Sequence, residues 1–324
     1  MITDCEYVCS RGILQSCTYK SSRPTSSIPI MVHYSIPNLQ PGESIYVCSA
    51  AIPYFVAQIA PHLPVPFVLV SGDSDESIPE NVFAKEENFT RFIENPLLIK
   101  WFSQNANPIH PKIVQIPIGL DYHTLAIPKS AKHAWGEPMT EIEQETLLQT
   151  IAKEAPPLTE RIRKGYSNFQ FRLHLKHTSE RKEAIDEIPA SLVFYEPRQS
   201  TREQNWRTQS KYAFVVSPRG AGLDCHRTWE AIALGCIPIV KAGVLDPLYR
   251  EYPILIVQKW SDMTLELLEK TVVEYSEKTF SAEKWTLAYW TNQIREAGNP
   301  PSSSTSREVG PEVGPEVNPG VGDI

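Results

Sequence analysis

Residues 212–240 constrain the fold most strongly, because they predict a strand, a glycine loop, a helix and a second strand in direct succession. Tyr212 to Val216 is a short apolar run of the kind found in buried strands. The turn residues from Ser217 to Gly222 follow, and Asp224 is placed to cap a helix that ends at Gly235. A glycine loop before a helix N-terminus offers unpaired backbone N–H groups and the positive end of the helix dipole. The segment therefore predicts an anion site within an α/β fold.

Polar side chains in this loop and helix match the groups of a nucleotide diphosphate. Arg227 and Glu230 lie three residues apart on one helix face, so the first can reach phosphate while the second accepts hydrogen bonds from ribose hydroxyls. Arg219 and His226 are further candidates for phosphate contact, although Arg219 could equally be a solvated charge and Asp224 a purely structural cap. The predicted binding residues are Ser217, Pro218, Arg219, Gly220, Gly222, Asp224, His226, Arg227 and Glu230.

The same segment resembles the C-terminal signature of exostosin-like glycosyltransferases, in which a Pro-x-Gly loop precedes Arg-x-x-Glu-Ala and Gly-Cys-Ile-Pro. The matching residues here are Pro218, Gly220, Arg227, Glu230, Ala231, Gly235, Cys236, Ile237 and Pro238. Weaker similarities to virus- and microbe-type members occur at residues 67–75, 116–121 and 255–260. The resemblance implies a GT-B fold, with two Rossmann-like domains that face each other across a cleft.

The resemblance also implies a reaction. In this reaction, the protein would transfer a hexosyl or pentosyl group from a nucleotide-sugar donor to a glycan or glycoconjugate acceptor, with inversion at the sugar. Such enzymes rely on Arg or Lys and a helix dipole, so no metal and no further cofactor is expected. Arg227 would also stabilise the charge that develops on the leaving diphosphate. Cys5, Cys9 and Cys17 lack a Cys-x-x-Cys pair and a fourth ligand nearby, so no zinc site is expected at these cysteines.

An inverting transfer needs a general base that takes the proton of the acceptor hydroxyl. Asp73, Asp75 and Asp121 are candidates, because each follows a predicted strand at the edge where ligands of open α/β sheets bind. His123 qualifies for the same reason. Each of these residues could instead cap a turn, and the sequence does not choose among them. Trp135 and Trp260 are candidates for stacking on the acceptor sugar. 

Other function classes fit the sequence less well. A dinucleotide-dependent oxidoreductase needs Gly-x-Gly-x-x-Gly and a later carboxylate, but Cys225 stands at the third glycine position and the next strand ends in Val240-Lys241. The Gly-x-x-x-x-Gly-Lys-Ser/Thr loop of kinases and ATPases is missing from the sequence. A protein that binds nucleotide sugars or glycans on the same fold without turnover remains an alternative, because the base is not assigned.

Patterns along the chain predict four parts. They are an irregular N-terminal segment at 1–40, an acceptor domain at 41–155, a donor domain at 160–298 and a disordered tail at 299–324. In the acceptor domain, the pattern predicts strands at 44–49, 66–71 and 112–118, and a helix at 96–104 with Trp101 facing inward. Capping boxes predict helix starts at Thr140 and Ser200. The final helix, 282–297, is expected to pack back on the acceptor domain.

Composition sets the remaining expectations. The chain has 324 residues and a formal net charge of −7, which argues against nucleic acid as the main partner. No apolar run approaches the roughly 20 residues that a membrane helix needs, and Met1 is not followed by the basic and apolar segments of a secretory signal. These features differ from those of Golgi-anchored animal exostosins. They predict either a cytoplasmic microbial relative, or a viral one in the host cytoplasm, or a protein from which an anchor has been removed.

Overall fold

The computed structural model of the protein describes residues 1–30, 36, 38–126, 134–169, 179–197 and 200–299. The strands in these ranges are β1 Ser44–Cys48, β2 Phe67–Gly72, β3 Leu98–Ser103, β4 Ile113–Gln115, β5 Ile162–Ser167, β6 Val193–Tyr195, β7 Tyr212–Val216, β8 Ile237–Lys241 and β9 Leu255–Val257. The α-helices in the described ranges are α1 Ser10–Ser16, α2 Ile52–Tyr54, α3 Glu86–Ile93, α4 His123–Ala126, α5 Glu141–Glu154, α6 Ser179–Glu187, α7 Arg202–Gln209, α8 His226–Ala233, α9 Asp246–Tyr249, α10 Leu265–Glu277 and α11 Leu287–Gly298. The predicted tail lies, apart from Asn299, outside the described residues.

The strands form two parallel sheets. The N-terminal sheet has the order β1-β2-β3-β4, and the C-terminal sheet has the order β6-β5-β7-β8-β9. Every residue of the central strands β2 and β7 is buried, as expected for parallel sheets that are covered on both faces. The two parallel sheets confirm the prediction of a mixed α/β fold. Across the described ranges, no helix combines the length and apolar character needed to cross a membrane.

The predicted helix at 96–104 is wrong, because this segment forms strand β3. Its residues pair in parallel with both β2 and β4, and Trp101 is fully buried between them. The Trp101 indole donates a hydrogen bond to Ser71 Oγ at 2.8 Å. A short apolar run is compatible with a buried strand or a buried helix turn, and here the pairing on both sides decides for the strand.

Residues 1–30, within the predicted irregular N-terminal segment, include a regular helix. This helix is α1, and the cysteines of the segment, Cys5, Cys9 and Cys17, are buried. The backbone of Cys9 forms isolated β-bridges with Gly119 and Leu120, so the segment lies against the chain that follows β4. Burial raises the pKa of the Cys5 thiol to about 12. The thiol of Cys5 is therefore protonated at neutral pH.

Helix α11 returns to the N-terminal sheet, where it packs against β1, β2 and β3. This contact confirms the prediction for the last helix. Gly42 and Gly298 meet backbone to backbone at the end of α11, since a Cβ atom on Gly42 would lie 2.1 Å from the Gly298 carbonyl oxygen. One hydrophobic cluster contains Val70 of the N-terminal sheet, Val215 of the C-terminal sheet and Ile294 of α11. The two sheets therefore share a core.

Candidate functional site

A cavity of about 470 Å³ lies between the carboxyl ends of the two sheets. Its walls come from the segments after β2, β4, β5 and β7 and from helices α6, α7 and α8. This is the edge at which open parallel sheets bind their ligands. The predicted site residues that line the cavity are Asp75, Asp121, Gly220, Gly222, Asp224, His226, Arg227 and Glu230.

Arg227, in the first turn of α8, has a guanidinium group with spare donor capacity. Its Nη2 donates to the Pro218 carbonyl oxygen at 2.8 Å, and the group lies 5.6 Å from the centre of the Phe169 ring. Its Nε is buried and has no hydrogen-bond partner within the part of the chain that is described. A buried N–H of a charged group costs free energy unless it is paired, so this atom favours an acceptor from a ligand.

Arg181, on α6, is a second guanidinium group in the same wall. Burial lowers the pKa of Arg181, and the positive charge of the nearby Arg227 lowers it further. A Cβ atom on Gly220 would lie 2.9 Å from Arg181 Nη2, so the glycine leaves room for the guanidinium group. Two neighbouring cations at a helix N-terminus make a favourable position for an anion with more than one charge.

Arg202 joins two carboxylates at the floor of the cavity. This side chain is 6% exposed, and its Nη2 lies 3.4 Å from Asp121 Oδ2 and 3.7 Å from Glu230 Oε1. Its Nη1 donates to the backbone oxygen of Asp121 and to Gln144 Oε1. The guanidinium group stacks on Trp135 at 4.6 Å and on Trp206 at 5.5 Å. Glu230 thus pairs with Arg202 rather than forming a surface ion pair with Arg227.

The two carboxylates on Arg202 have opposite pKa shifts. Burial alone would raise the pKa of Asp121, but His226, His123 and Arg202 hold it well below its usual value. Thr124 adds hydrogen bonds to both Asp121 oxygens, at 3.0 and 2.8 Å. Burial raises the pKa of Glu230, and Arg202 only partly offsets this effect. Asp121 is therefore ionised at neutral pH, while the ionisation of Glu230 depends on Arg202.

Asp224 has a structural position rather than the capping role predicted for it. Helix α8 begins one residue later than predicted, with Cys225 as its N-cap and no side-chain capping bond. Asp224 accepts hydrogen bonds from the Trp229 indole, the Tyr249 hydroxyl and the Ile118 backbone N–H. Burial raises its pKa. These donors tie the loop to the chain after β4 and to helices α8 and α9, and they leave the carboxylate little capacity for a ligand.

Two predicted bases after β2 differ in their surroundings. Asp73 does not line the cavity, because its carboxylate pairs with Arg11 at 3.0 Å and accepts a hydrogen bond from Ser26 at 2.8 Å. Both groups belong to the N-terminal segment, which Asp73 anchors. Asp75, by contrast, is exposed at the rim of the cavity. Only the second of these carboxylates is placed to meet a ligand in the cavity.

The start of the glycine loop faces away from the main cavity. Ser217 forms a buried hydroxyl contact with Thr228 at 2.8 Å, and Pro218 contributes its carbonyl to Arg227. Arg219 pairs with Glu180 at 3.5 Å, beside a separate cavity of about 200 Å³. These three predicted residues shape the loop, whereas Gly220 and Gly222 line the main cavity.

Several cavity residues were not identified from the sequence. They are Arg181, Arg202, Asn168, Phe169 and Asn205. The sequence signal for Arg202 is its helical spacing from Trp206 and Gln209. These three are the buried residues of α7, so the spacing marks the inward face of this helix. The helix also begins after Thr201, whose hydroxyl accepts from Gln204 N, and not at the predicted Ser200. Of the two predicted stacking residues, Trp135 lines the cavity, but Trp260 is fully buried in the core.

Comparison with known proteins does not identify the site. No protein-family model and no curated protein matches the chain. One solved structure with some similarity carries the description "Crystal Structure Analysis of the Glycotransferase of kitacinnamycin". It is 11% identical, the match covers 79% of this chain and 72% of that chain, and the TM-score is 0.32. A TM-score this low supports no conclusion about fold or activity.

Proposed function

We propose that the protein is a GT-B glycosyltransferase of exostosin-like type, which transfers a sugar from a nucleotide-sugar donor to a glycan or glycoconjugate acceptor. The observation that carries this proposal is the cavity between the two sheets, where Arg181 and Arg227 face the same space beside the first turn of α8. A nucleoside diphosphate has the charge and the size for this position. The cavity volume of about 470 Å³ is within the range of small-ligand sites.

In the proposed complex, the donor diphosphate lies on Arg181, Arg227 and the N-terminal end of α8. These groups neutralise the charge that develops on the diphosphate as the bond to the sugar breaks. Glu230 accepts hydrogen bonds from the ribose hydroxyls, and Gly220 and Gly222 let the loop backbone approach the ligand. We propose inversion at the sugar, as the resemblance implies. No metal is proposed, because the two arginines supply the positive charge at the diphosphate. The acceptor enters from the side of Asp75 and Trp135.

A donor screen tests the proposal directly. The protein is incubated with a panel of nucleotide sugars and candidate acceptors, and mass spectrometry detects transfer or hydrolysis. Calorimetry measures donor binding in parallel. Turnover of at least one nucleotide sugar supports the transferase. Donor binding without turnover across the acceptors indicates the alternative, a binding protein on the same fold, and the absence of both binding and turnover contradicts the proposal.

Replacement of Glu230 by glutamine should raise the donor KM with little change in kcat. The amide can still make one ribose contact but accepts less strongly, so we expect a loss of about 1–1.5 kcal/mol, or roughly 10-fold in KM. Initial rates at varied donor concentration measure this effect. Glu266→Gln, on the exposed face of α10, is the control and should match the parent. An unchanged KM in the Glu230 variant would remove this residue from the donor site.

A further inference from the structure

A hydrogen bond to the N-terminal half selects one tautomer of His226, the first residue of α8. Its Nδ1 lies 2.7 Å from the carbonyl oxygen of Gly119. A carbonyl oxygen only accepts hydrogen bonds, so Nδ1 must be the nitrogen that carries the proton. In the neutral ring the lone pair then belongs to Nε2. The contact therefore selects the tautomer in which Nε2 can accept a proton.

The Gly119 carbonyl is itself fixed by the N-terminal segment. Gly119 has φ +66°, and a Cβ atom there would lie 2.1 Å from the Val8 carbonyl oxygen. The next residue, Leu120, donates its backbone N–H to the same Val8 oxygen at 2.9 Å. The anchor of the imidazole is thus a rigid turn of the N-terminal half, whereas His226 itself belongs to the C-terminal half. The ring lines the cavity between them.

Ionisable groups of both signs surround His226. Asp121 and His123 face it from the segment after β4, with the two imidazole centres 6.0 Å apart, and Arg202 approaches from α7. Arg227 and Glu230 belong to its own helix. Among these groups, Asp121 provides a fixed negative charge that can offset an imidazolium ion.

The carboxylates near His226 are committed to other partners. Asp121 accepts from Thr124 and pairs with Arg202, Glu230 pairs with Arg202, and Asp224 accepts from Trp229 and Tyr249. Its cationic neighbours make Asp121 a weak base. The pKa values of Glu230 and Asp224 are raised by burial, but their oxygens already face Arg202 and the donors of Trp229 and Tyr249. Asp75, which is exposed at the rim, is the competing candidate.

We propose that His226 is the general base, which takes the proton of the acceptor hydroxyl at Nε2. The inference rests on the proposed transferase function and deepens it. The acceptor oxygen forms a bond to the anomeric carbon while the bond from that carbon to the donor phosphate oxygen breaks. Its electron pair leaves with the nucleoside diphosphate, and the hydroxyl proton moves to Nε2. No oxidant or reductant is needed.

The variant His226→Asn separates the base from its anchor. The Asn side-chain N–H can replace Nδ1 as a donor to Gly119, but Asn has no basic nitrogen at the position of Nε2. We expect donor binding by calorimetry and the melting temperature to match the parent, while kcat for transfer falls roughly 10²- to 10⁴-fold. The pH profile of the parent should have an acid limb, as expected for a reaction that needs a general base, and the variant should lack this limb.

Three further variants complete the test. Added imidazole should restore part of the transfer rate of His226→Ala, which also serves if the Asn variant does not fold. Asp75→Asn should retain the acid limb of the pH profile. The control is His62→Gln, a surface histidine of the N-terminal half, which should behave as the parent.

Each contrary result has a distinct meaning. A kcat near that of the parent in His226→Asn overturns the assignment of the base, and loss of the acid limb in Asp75→Asn transfers the role to Asp75. Loss of donor affinity in proportion to kcat makes His226 a donor contact, so the assignment fails while the transferase function stands. If the parent binds donors without turnover, or binds none, the proposed function itself fails.

Discussion

Replacement of Arg227 by alanine should abolish most sugar transfer and weaken donor binding roughly 10- to 150-fold. Loss of one charge-assisted contact to a diphosphate costs about 1.5–3 kcal/mol, and the rate falls further because the leaving group gains charge. The guanidinium group has a buried Nε without a described partner, so the ligand is its strongest expected interaction. Calorimetry with the best donor from the screen measures the affinity, and initial rates measure transfer.

The melting temperature and a control variant distinguish loss of a donor contact from loss of a structural contact. Arg227 also donates to the Pro218 carbonyl, and loss of that bond should lower stability only modestly. The melting temperature must therefore stay close to that of the parent. Arg250→Ala, a largely exposed arginine on the C-terminal half, is the matched control and should keep full donor affinity. A variant at Arg227 that binds donor like the parent, or that simply unfolds, would contradict the nucleotide site.

The unit from β7 to β8 could be predicted from sequence because its structure is local. Strand β7 has the predicted bounds, and α8 lies within the predicted helix. The strand pattern, the glycine loop and the helix stripe all lie within 29 consecutive positions, residues 212–240. Contacts between neighbours in sequence set most of its conformation. The predicted residues Gly220, Gly222, Arg227 and Glu230 therefore fall on one cavity wall.

Elements that depend on distant partners could not be predicted in this way. The short apolar run of β3 is compatible with a helix or with a strand. Only its pairing with β2 and β4 decides for the strand. Arg181 and Arg202 stand in helices with many charges, where a solvated position is the default expectation. Their place in the cavity follows from how the halves pack. Asp73 and Asp75 are two residues apart, yet only contacts with Arg11 and Ser26 distinguish them.

Replacement of Arg202 by methionine should destabilise the fold by about 3–5 kcal/mol, the usual cost of removing one partner from a buried ion pair. Methionine keeps much of the packing between Trp135 and Trp206, so the change mainly removes the charge. Asp121 and Glu230 are then left close together without the cation between them. Urea unfolding measures the loss. Arg207→Met, on the exposed side of the same helix, is the control and should leave the unfolding midpoint unchanged.

The pH dependence of this loss identifies its electrostatic cause. Without Arg202, the pKa values of Asp121 and Glu230 should rise in the folded state, because a cation that lowers both is gone. A carboxyl group with a raised folded pKa binds protons more readily when folded, so the folded state loses stability as the pH rises. The deficit of Arg202→Met should therefore be larger at about pH 7 than at about pH 5, and the added substitution Asp121→Asn should reduce it at pH 7. A deficit that is equal at both pH values, and that the second substitution does not reduce, would show that Arg202 acts through packing on the two tryptophans and not through the carboxylates.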